Sequence, residues 1–235
     1  MQPDLKYYPL LVTLNVTHIL RCPFQMFITF EGLDFCGKST QAALLAKTLE
    51  QRGRNVIMLR DPGGTPISEK VRAILLDPKN KEMSMKAELF LFSAARTQMV
   101  SEIIRPALNE GKVVICDRFY DSTSAYQGYG RNLDVAEIEI LNRIASNGTT
   151  PEVTLFIDVA TDALIERQRS SGSSADRMES SGRAFFERVR GGYLSLVEKY
   201  PHRMILINGE PPVEMVQDQI WKVVSQRLTL RGINA

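Results

Sequence analysis

Residues 26–39 read Met-Phe-Ile-Thr-Phe-Glu-Gly-Leu-Asp-Phe-Cys-Gly-Lys-Ser, and Thr40 follows. The apolar run Phe27 to Phe30 is strand-like, and Gln41 to Gln51 carries apolar Ala43, Leu44, Leu45 and Leu49 at helical spacing. Between them, Gly32 to Ser39 fits G-x-x-x-x-G-K-[ST] at every specified position. In such a loop, glycines let the backbone curl so that successive N–H groups face an anion, and the following helix adds its positive end. Gly32, Leu33, Asp34, Phe35, Cys36, Gly37, Lys38, Ser39 and Thr40 are therefore expected around the phosphates of a nucleotide, with Lys38 bridging the terminal ones and the Ser39 hydroxyl facing a metal ion.

Working outward, Asn55–Leu59, Lys112–Cys116, Val153–Ile157 and Met204–Ile207 are further strand-like runs. Helical patterns cover Ile67–Leu76, Ala87–Leu108, Val135–Ala145 (Asp134 as N-cap), Leu164–Arg169, Phe185–Tyr200 and Pro212–Leu228. Five strands alternating with helices predict an α/β fold, a five-stranded parallel sheet with helices on both faces and ligands beyond the carboxyl ends of the strands. Ser170–Gly182 is rich in Ser and Gly and reads as a mobile loop. With no linker inside 26–229, residues 26–235 form a single domain, and residues 1–25 are expected to be a poorly ordered extension or an upstream start.

Composition narrows the function. Of 235 residues, 44% are apolar and 24% charged, and 29 basic against 27 acidic residues give +2. Neither nucleic acid nor a membrane is indicated as a partner. Three cysteines (Cys22, Cys36, Cys116) are too few for a disulfide framework, and two histidines (His18, His202) leave little room for His-based chemistry. A reducing, cytoplasmic location is the default. Tyr8–Leu20 is interrupted by polar residues and lacks a small-residue cleavage site after it.

Lys112 to Asp117 is a buried strand ending in a carboxylate, which places Asp117 near Ser39, holding Mg²⁺ directly or through water. No Asn-Lys-x-Asp guanine-reading loop is present, since Asn80-Lys81 is followed by Glu82-Met83. A small phosphotransferase fits best. Three clusters suggest a second, anionic substrate: Arg60-Asp61-Pro62-Gly63-Gly64-Thr65; Phe92 with Arg96, four apart on one helical face; and Asp117 to Thr123 followed by Tyr126-Gln127-Gly128. By spacing alone, Phe92 serves equally as core, and Arg96 and Arg118 as surface cations. Six arginines (Arg167, Arg169, Arg177, Arg183, Arg188, Arg190) surround the Ser/Gly loop, from which guanidinium can fold over a transferring phosphate.

Taken in order and spacing, the segments starting at Phe27, Arg60, Ala87 and Asp117 resemble the thymidylate kinases, over roughly residues 26–229. The resemblance implies a P-loop kinase fold with a lid at about 168–182, transfer of the γ-phosphate of ATP to dTMP for dTTP synthesis, Mg²⁺, and a homodimer. It implies that Phe92 stacks on thymine, that Arg96 meets its carbonyl edge, and that Thr123 and Gln127 meet its remaining polar edge, with Ser122 nearby. Arg60 and Arg118 would hold the acceptor phosphate, Asp34 would lie by the transferring group, and Tyr126 would favour deoxyribose. Asp176-Arg177 looks like the lid motif, with Arg177 as the transition-state arginine; Lys38, Asp34, Arg118 and Arg177 form the catalytic set. Phe35 stands where some members carry an arginine, and Asp61 where the family usually has Glu, so no role is carried onto Asp61. A deoxynucleoside kinase with Asp61 as base is the rival, and a nucleotide-binding regulator without turnover is the alternative of another class.

Overall fold

The computed structural model describes residues 25–172, 177–178 and 181–230. The extension expected at 1–25 lies outside them except for Gln25, as does the loop's Asp176. Five strands, β1 (Met26–Glu31), β2 (Val56–Arg60), β3 (Val113–Asp117), β4 (Val153–Asp158) and β5 (Met204–Asn208), form one sheet in the order β2-β3-β1-β4-β5. All pairings are parallel. The chain crosses from the central β1 to the edge strand β2, returns to β3 beside β1, and then passes to β4 and β5 on the other side, so crossovers of both directions meet around the carboxyl end of β1, where such sheets bind ligands.

The inner strands are buried along nearly their whole length, as a sheet covered on both faces requires. Alternation on β1 divides the core. Ile28 and Phe30 pack with Leu45 and Leu49 of α1 (Lys38–Gln51), whereas Phe27 packs with Met99, Ile104 and Phe119. On that second side lie α2 (Pro66–Leu76), capped by the Thr65 hydroxyl, and α3 (Met85–Met99), capped by Ser84.

The helix expected over Ala87–Leu108 is not uniform. α3 runs into a π-helical turn, Val100–Ile104, and then α4 (Arg105–Asn109). Pro106 has no N–H to close an α-turn, and the turn before it widens. Helix α5 (Tyr120–Thr123) likewise continues as a π-helical stretch, Ser124–Gly130, that periodicity does not reveal because Gly128 and Gly130 weaken helical propensity. Gly130 serves close packing: a Cβ there would lie 2.7 Å from Phe185 of α8 (Arg183–Lys199). Helix α6 (Val135–Ala145) starts at Asp134, whose side chain accepts from Ala136 N–H and Glu137 N–H. Helices α7 (Thr161–Ser171) and α9 (Val213–Leu230) complete the layers.

Candidate active site

The strand ends set out the chemistry. Glu31, Arg60, Asp117 and Asp158 all close their strands at the same rim of the sheet. Just past β1 the loop turns sharply. Gly32 has φ 142°, and a Cβ would stand 2.6 Å from the Ile157 carbonyl oxygen, so only glycine fits. Phe35, at φ 65°, holds a conformation that L side chains rarely adopt. Lys38 opens α1 and folds back over the loop, donating to the Leu33 carbonyl at 2.8 Å. The Ser39 hydroxyl donates to Asp117 Oδ2 at 2.5 Å, so the strand-end carboxylate and the loop hydroxyl meet as expected.

Beside the loop is a cleft of about 90 Å³ lined by Asp34, Asp61, Pro62, Arg72, Phe92, Arg96, Arg118, Ser122, Thr123, Tyr126 and Gln127, among others. Asp34 also lines the depression over Gly37, Lys38, Ser39 and Thr40, and so joins the two spaces. Its Oδ1 accepts from Arg118 Nη2 at 2.7 Å and stands 3.7 Å from Lys38 Nζ. Burial alone would raise its pKa, but Arg118 and then Lys38 outweigh that and hold it at about 2. A permanent carboxylate thus lies between a cation of the loop and a cation of the cleft.

Arg118, at φ 70°, donates through Nη1 to the Gly32 carbonyl at 2.7 Å, and its guanidinium stacks 5.0 Å from the Tyr126 ring. The buried Glu31 supports this unusual turn. Its Oε1 accepts from the Phe119 N–H at 2.7 Å, and its Oε2 accepts from the hydroxyls of Ser122 at 2.5 Å and Tyr193 at 2.9 Å. Burial first, and Asp121 next, push the Glu31 pKa up to about 7.

At the far end of the cleft, Arg96 is buried and lies flat against its partners. Its Nε donates to Asp61 Oδ2 at 2.5 Å and its Nη2 to Thr123 Oγ1 at 2.8 Å. Thr123 therefore serves as an anchor for Arg96. Phe92 lines the same cleft one turn earlier. Gln127 donates its amide nitrogen to Glu88 Oε1 at 2.9 Å.

Two expected residues are placed elsewhere. Arg60 is 56% exposed, pairs with Glu69 at 3.1 Å and does not line the cleft. Glu69 sits in the first turn of α2, where carboxylates favour the helix N-terminus, and draws Arg60 outward; Arg72, one turn further along, lines the cleft instead. Arg177 does not meet the phosphate-binding loop. It is buried against Glu88, with Nη1 2.6 Å from Oε2, and its Nε donates to the Leu75 carbonyl. The buried carboxylate captures the guanidinium. Of the six arginines, Arg167 of α7 reaches the phosphate-binding loop, donating to the Phe35 carbonyl at 3.2 Å. Of the remaining four, Arg183 and Arg190 pair with Asp162 and Asp158, Arg169 lies 3.9 Å from Glu166, and Arg188 donates to the Gly130 carbonyl.

Sequence reading gave no role to Glu31 or Glu88, although both lie in the quoted segments. Their signal was a carboxylate inside an apolar run, which burial makes expensive unless donors surround it. Cys36 and Cys116 are buried free thiols whose pKa values burial raises. Among the described residues no helix is long and apolar enough to cross a membrane.

The family model for thymidylate kinase matches residues 30–220. The thymidylate kinase of Geotalea uraniireducens is 45% identical over 207 residues, covering 86% of this chain and 97% of its own length. That of an Exiguobacterium species is 41% identical over 208 residues, 88% of this chain and 98% of the relative. The crystal structure of thymidylate kinase from Ehrlichia chaffeensis superposes with a TM-score of 0.70 at 38% identity, covering 86% of this chain and 99% of the other. A loop, a cleft and a fold that match along nearly the whole of these relatives place the chain in the thymidylate kinase family.

Proposed function

We propose that this protein transfers the γ-phosphate of ATP to the phosphate of dTMP, giving dTDP for dTTP synthesis in the cytoplasm. The observation that carries the reading is Asp34, which pins Lys38 on the donor side and Arg118 on the acceptor side of one gap. The loop amides and Lys38 hold the terminal phosphates of ATP. Arg118 presents guanidinium N–H groups to the acceptor phosphate, and Arg72 lines the same cleft. The acceptor's second pKa is about 6, so near neutral pH it is a dianion that attacks without a general base. Arg167 donates to the loop's Phe35 carbonyl and supplies the charge that closes over the transfer.

Ser39 and Asp117 offer a hydroxyl and a carboxylate, the hard oxygen donors that Mg²⁺ takes. When bound with ATP, that ion neutralises charge on the phosphates. Tyr126 packs beside Arg118 at the sugar end, and Phe92 and Arg96 take the base. The rival use of Asp61 as a base for a sugar hydroxyl fits less well, because its Oδ2 is occupied by Arg96.

The proposal extends to a homodimer. Ile67 and Ile74 on α2, Phe90 on α3, and Ile140 and Ile144 on α6 are each about half exposed or more, and α3 packs against both neighbours. Light scattering should give twice the chain mass.

A coupled assay with ATP and a panel of dTMP, dUMP, dCMP and thymidine tests the activity. Turnover of dTMP well above thymidine is expected, and turnover of thymidine without dTMP would overturn the reading.

A further inference from the structure

Glu88 is 1% exposed and lies on α3 one turn before Phe92, outside the cleft lining. Three side chains converge on it. Gln127 Nε2 donates to its Oε1 at 2.9 Å, Arg131 Nε donates to the same oxygen at 3.2 Å, and Arg177 Nη1 stands 2.6 Å from Oε2. Two guanidinium groups keep this buried carboxylate ionised, so it can only accept hydrogen bonds.

That fixes a choice that Gln127 could otherwise make freely. A glutamine amide presents a donor or an acceptor according to how it turns, and its two ends look alike in shape. Facing an ionised carboxylate, Gln127 must turn its nitrogen to Glu88. Its carbonyl oxygen is then the end left to face away from Glu88, and Gln127 lines the cleft.

We infer that Glu88 is a positioning residue for base selection: it locks Gln127 as an acceptor, so the cleft takes a pyrimidine whose ring N3 carries a hydrogen and disfavours one whose N3 is a lone pair. The inference rests on the proposed placement of the base between Phe92, Arg96 and Gln127. In a keto-pyrimidine such as thymine N3 donates, whereas in cytosine it accepts and would meet the Gln127 oxygen head-on. A buried polar group left unpaired against the wrong ligand is what gives such sites their selectivity.

The test is the ratio of kcat/KM for dTMP to that for dCMP, in the full-length enzyme with ATP. Glu88→Gln removes the charge that orients the amide. Glu88→Asp keeps the charge for Arg131 and Arg177 but withdraws the carboxylate by one methylene from Gln127. Both variants are expected to lower the ratio about tenfold, through KM for the monophosphate rather than kcat. In a Gln127→Leu background, Glu88→Asp should change the ratio no further, because coupled residues do not add. If Glu88→Gln does not fold, Glu88→Asp decides alone. A folded Glu88→Asp that keeps the ratio overturns the inference, as does one that still lowers it fully without Gln127. A wild-type enzyme with no preference between dTMP and dCMP would instead refute the placement of the base itself.

Discussion

Two carboxylates, Glu31 and Glu88, are withdrawn from water to the same degree and end in opposite states. Glu31 sits under the turn that carries Arg118 and takes its hydrogen bonds from a backbone N–H and two hydroxyls, all neutral. Burial, with Asp121 adding repulsion, carries its pKa up to about 7. Glu88 sits one turn before Phe92, beside the part of the cleft lined by Phe92 and Arg96, where burial also pushes upward. There, the Gln127 bond and the direct contacts of Arg131 and Arg177 more than reverse the shift, and its pKa falls below the usual carboxylate value. Burial thus sets the cost of the charge, and the charge of the groups in contact decides whether it is kept. At the phosphate end the nearest guanidinium, Arg118, is engaged by Asp34, which leaves Glu31 to hold the turn that aims it.

The comparison assigns rate to one end and selectivity to the other, and it breaks most visibly at Arg118. Arg118→Met removes the charge-assisted grip proposed for the acceptor phosphate and leaves Asp34 with Lys38 and the Tyr126 hydroxyl. A fall in kcat/KM for dTMP of about a thousandfold is expected. The dTMP-to-dCMP ratio should hold within about twofold. A large change in that ratio would mean the two ends are not separate.

The next effect is in stability against pH, and the two residues should slope in opposite directions. Glu31 has a folded pKa of about 7 against an ordinary 4.5, so between those values the folded state binds more protons. Its contribution therefore declines as pH rises through that window, by about 3 kcal/mol at most. Urea unfolding of Glu31→Gln at pH 5 and pH 8 should show the variant gaining on the wild type at the higher pH. Glu88 has a lowered pKa, so its stability is present above its ordinary value and lost as pH falls through the folded one. Glu88→Asp, which keeps the charge, should therefore follow the wild-type acid limb, and Glu88→Gln should not. Parallel profiles for Glu31→Gln and Glu88→Gln would erase the distinction.

How much of this was legible in the sequence depends on the range of the interaction. The loop Gly32–Ser39 and its strand and helix are local, and the structure reproduces them to within a few residues. The approach of Ser39 to Asp117 was also legible, because β1 and β3 lie side by side and end together, which brings the loop and helix start after β1 beside the last residue of β3. Glu31 and Glu88 were not, since their meaning lies in partners 88 and 39 residues away that no periodicity joins. Arg177 failed for the same reason: proximity to a Ser/Gly loop says nothing about a buried Glu88 waiting across the fold. The helical path through Tyr120–Gly130 was hidden by its glycines, of which Gly130 lets α8 approach and Gly128 packs against Val135 and Ile138 of α6.

The smallest expected effect tests the weakest sequence inference, Arg60. A strand-end arginine next to the cleft is a natural phosphate ligand, and β2 does end beside Asp117. The pleat and the first turn of α2 decide otherwise, because Glu69 accepts from both Arg60 and the Gly64 N–H and holds the arginine at the exposed rim. Exposed pairs of this kind contribute about 0–1 kcal/mol. Arg60→Ala should therefore leave KM for dTMP within about twofold and stability within about 0.5 kcal/mol. Arg72→Ala, one helical turn deeper and in the cleft lining, should raise KM for dTMP about tenfold. Steady-state kinetics on the two variants side by side separate the rim from the cleft: a large KM effect at Arg60 with little at Arg72 would mean that the side chain swings inward to its phosphate, and that the acceptor end extends beyond the Arg118–Asp34 pair.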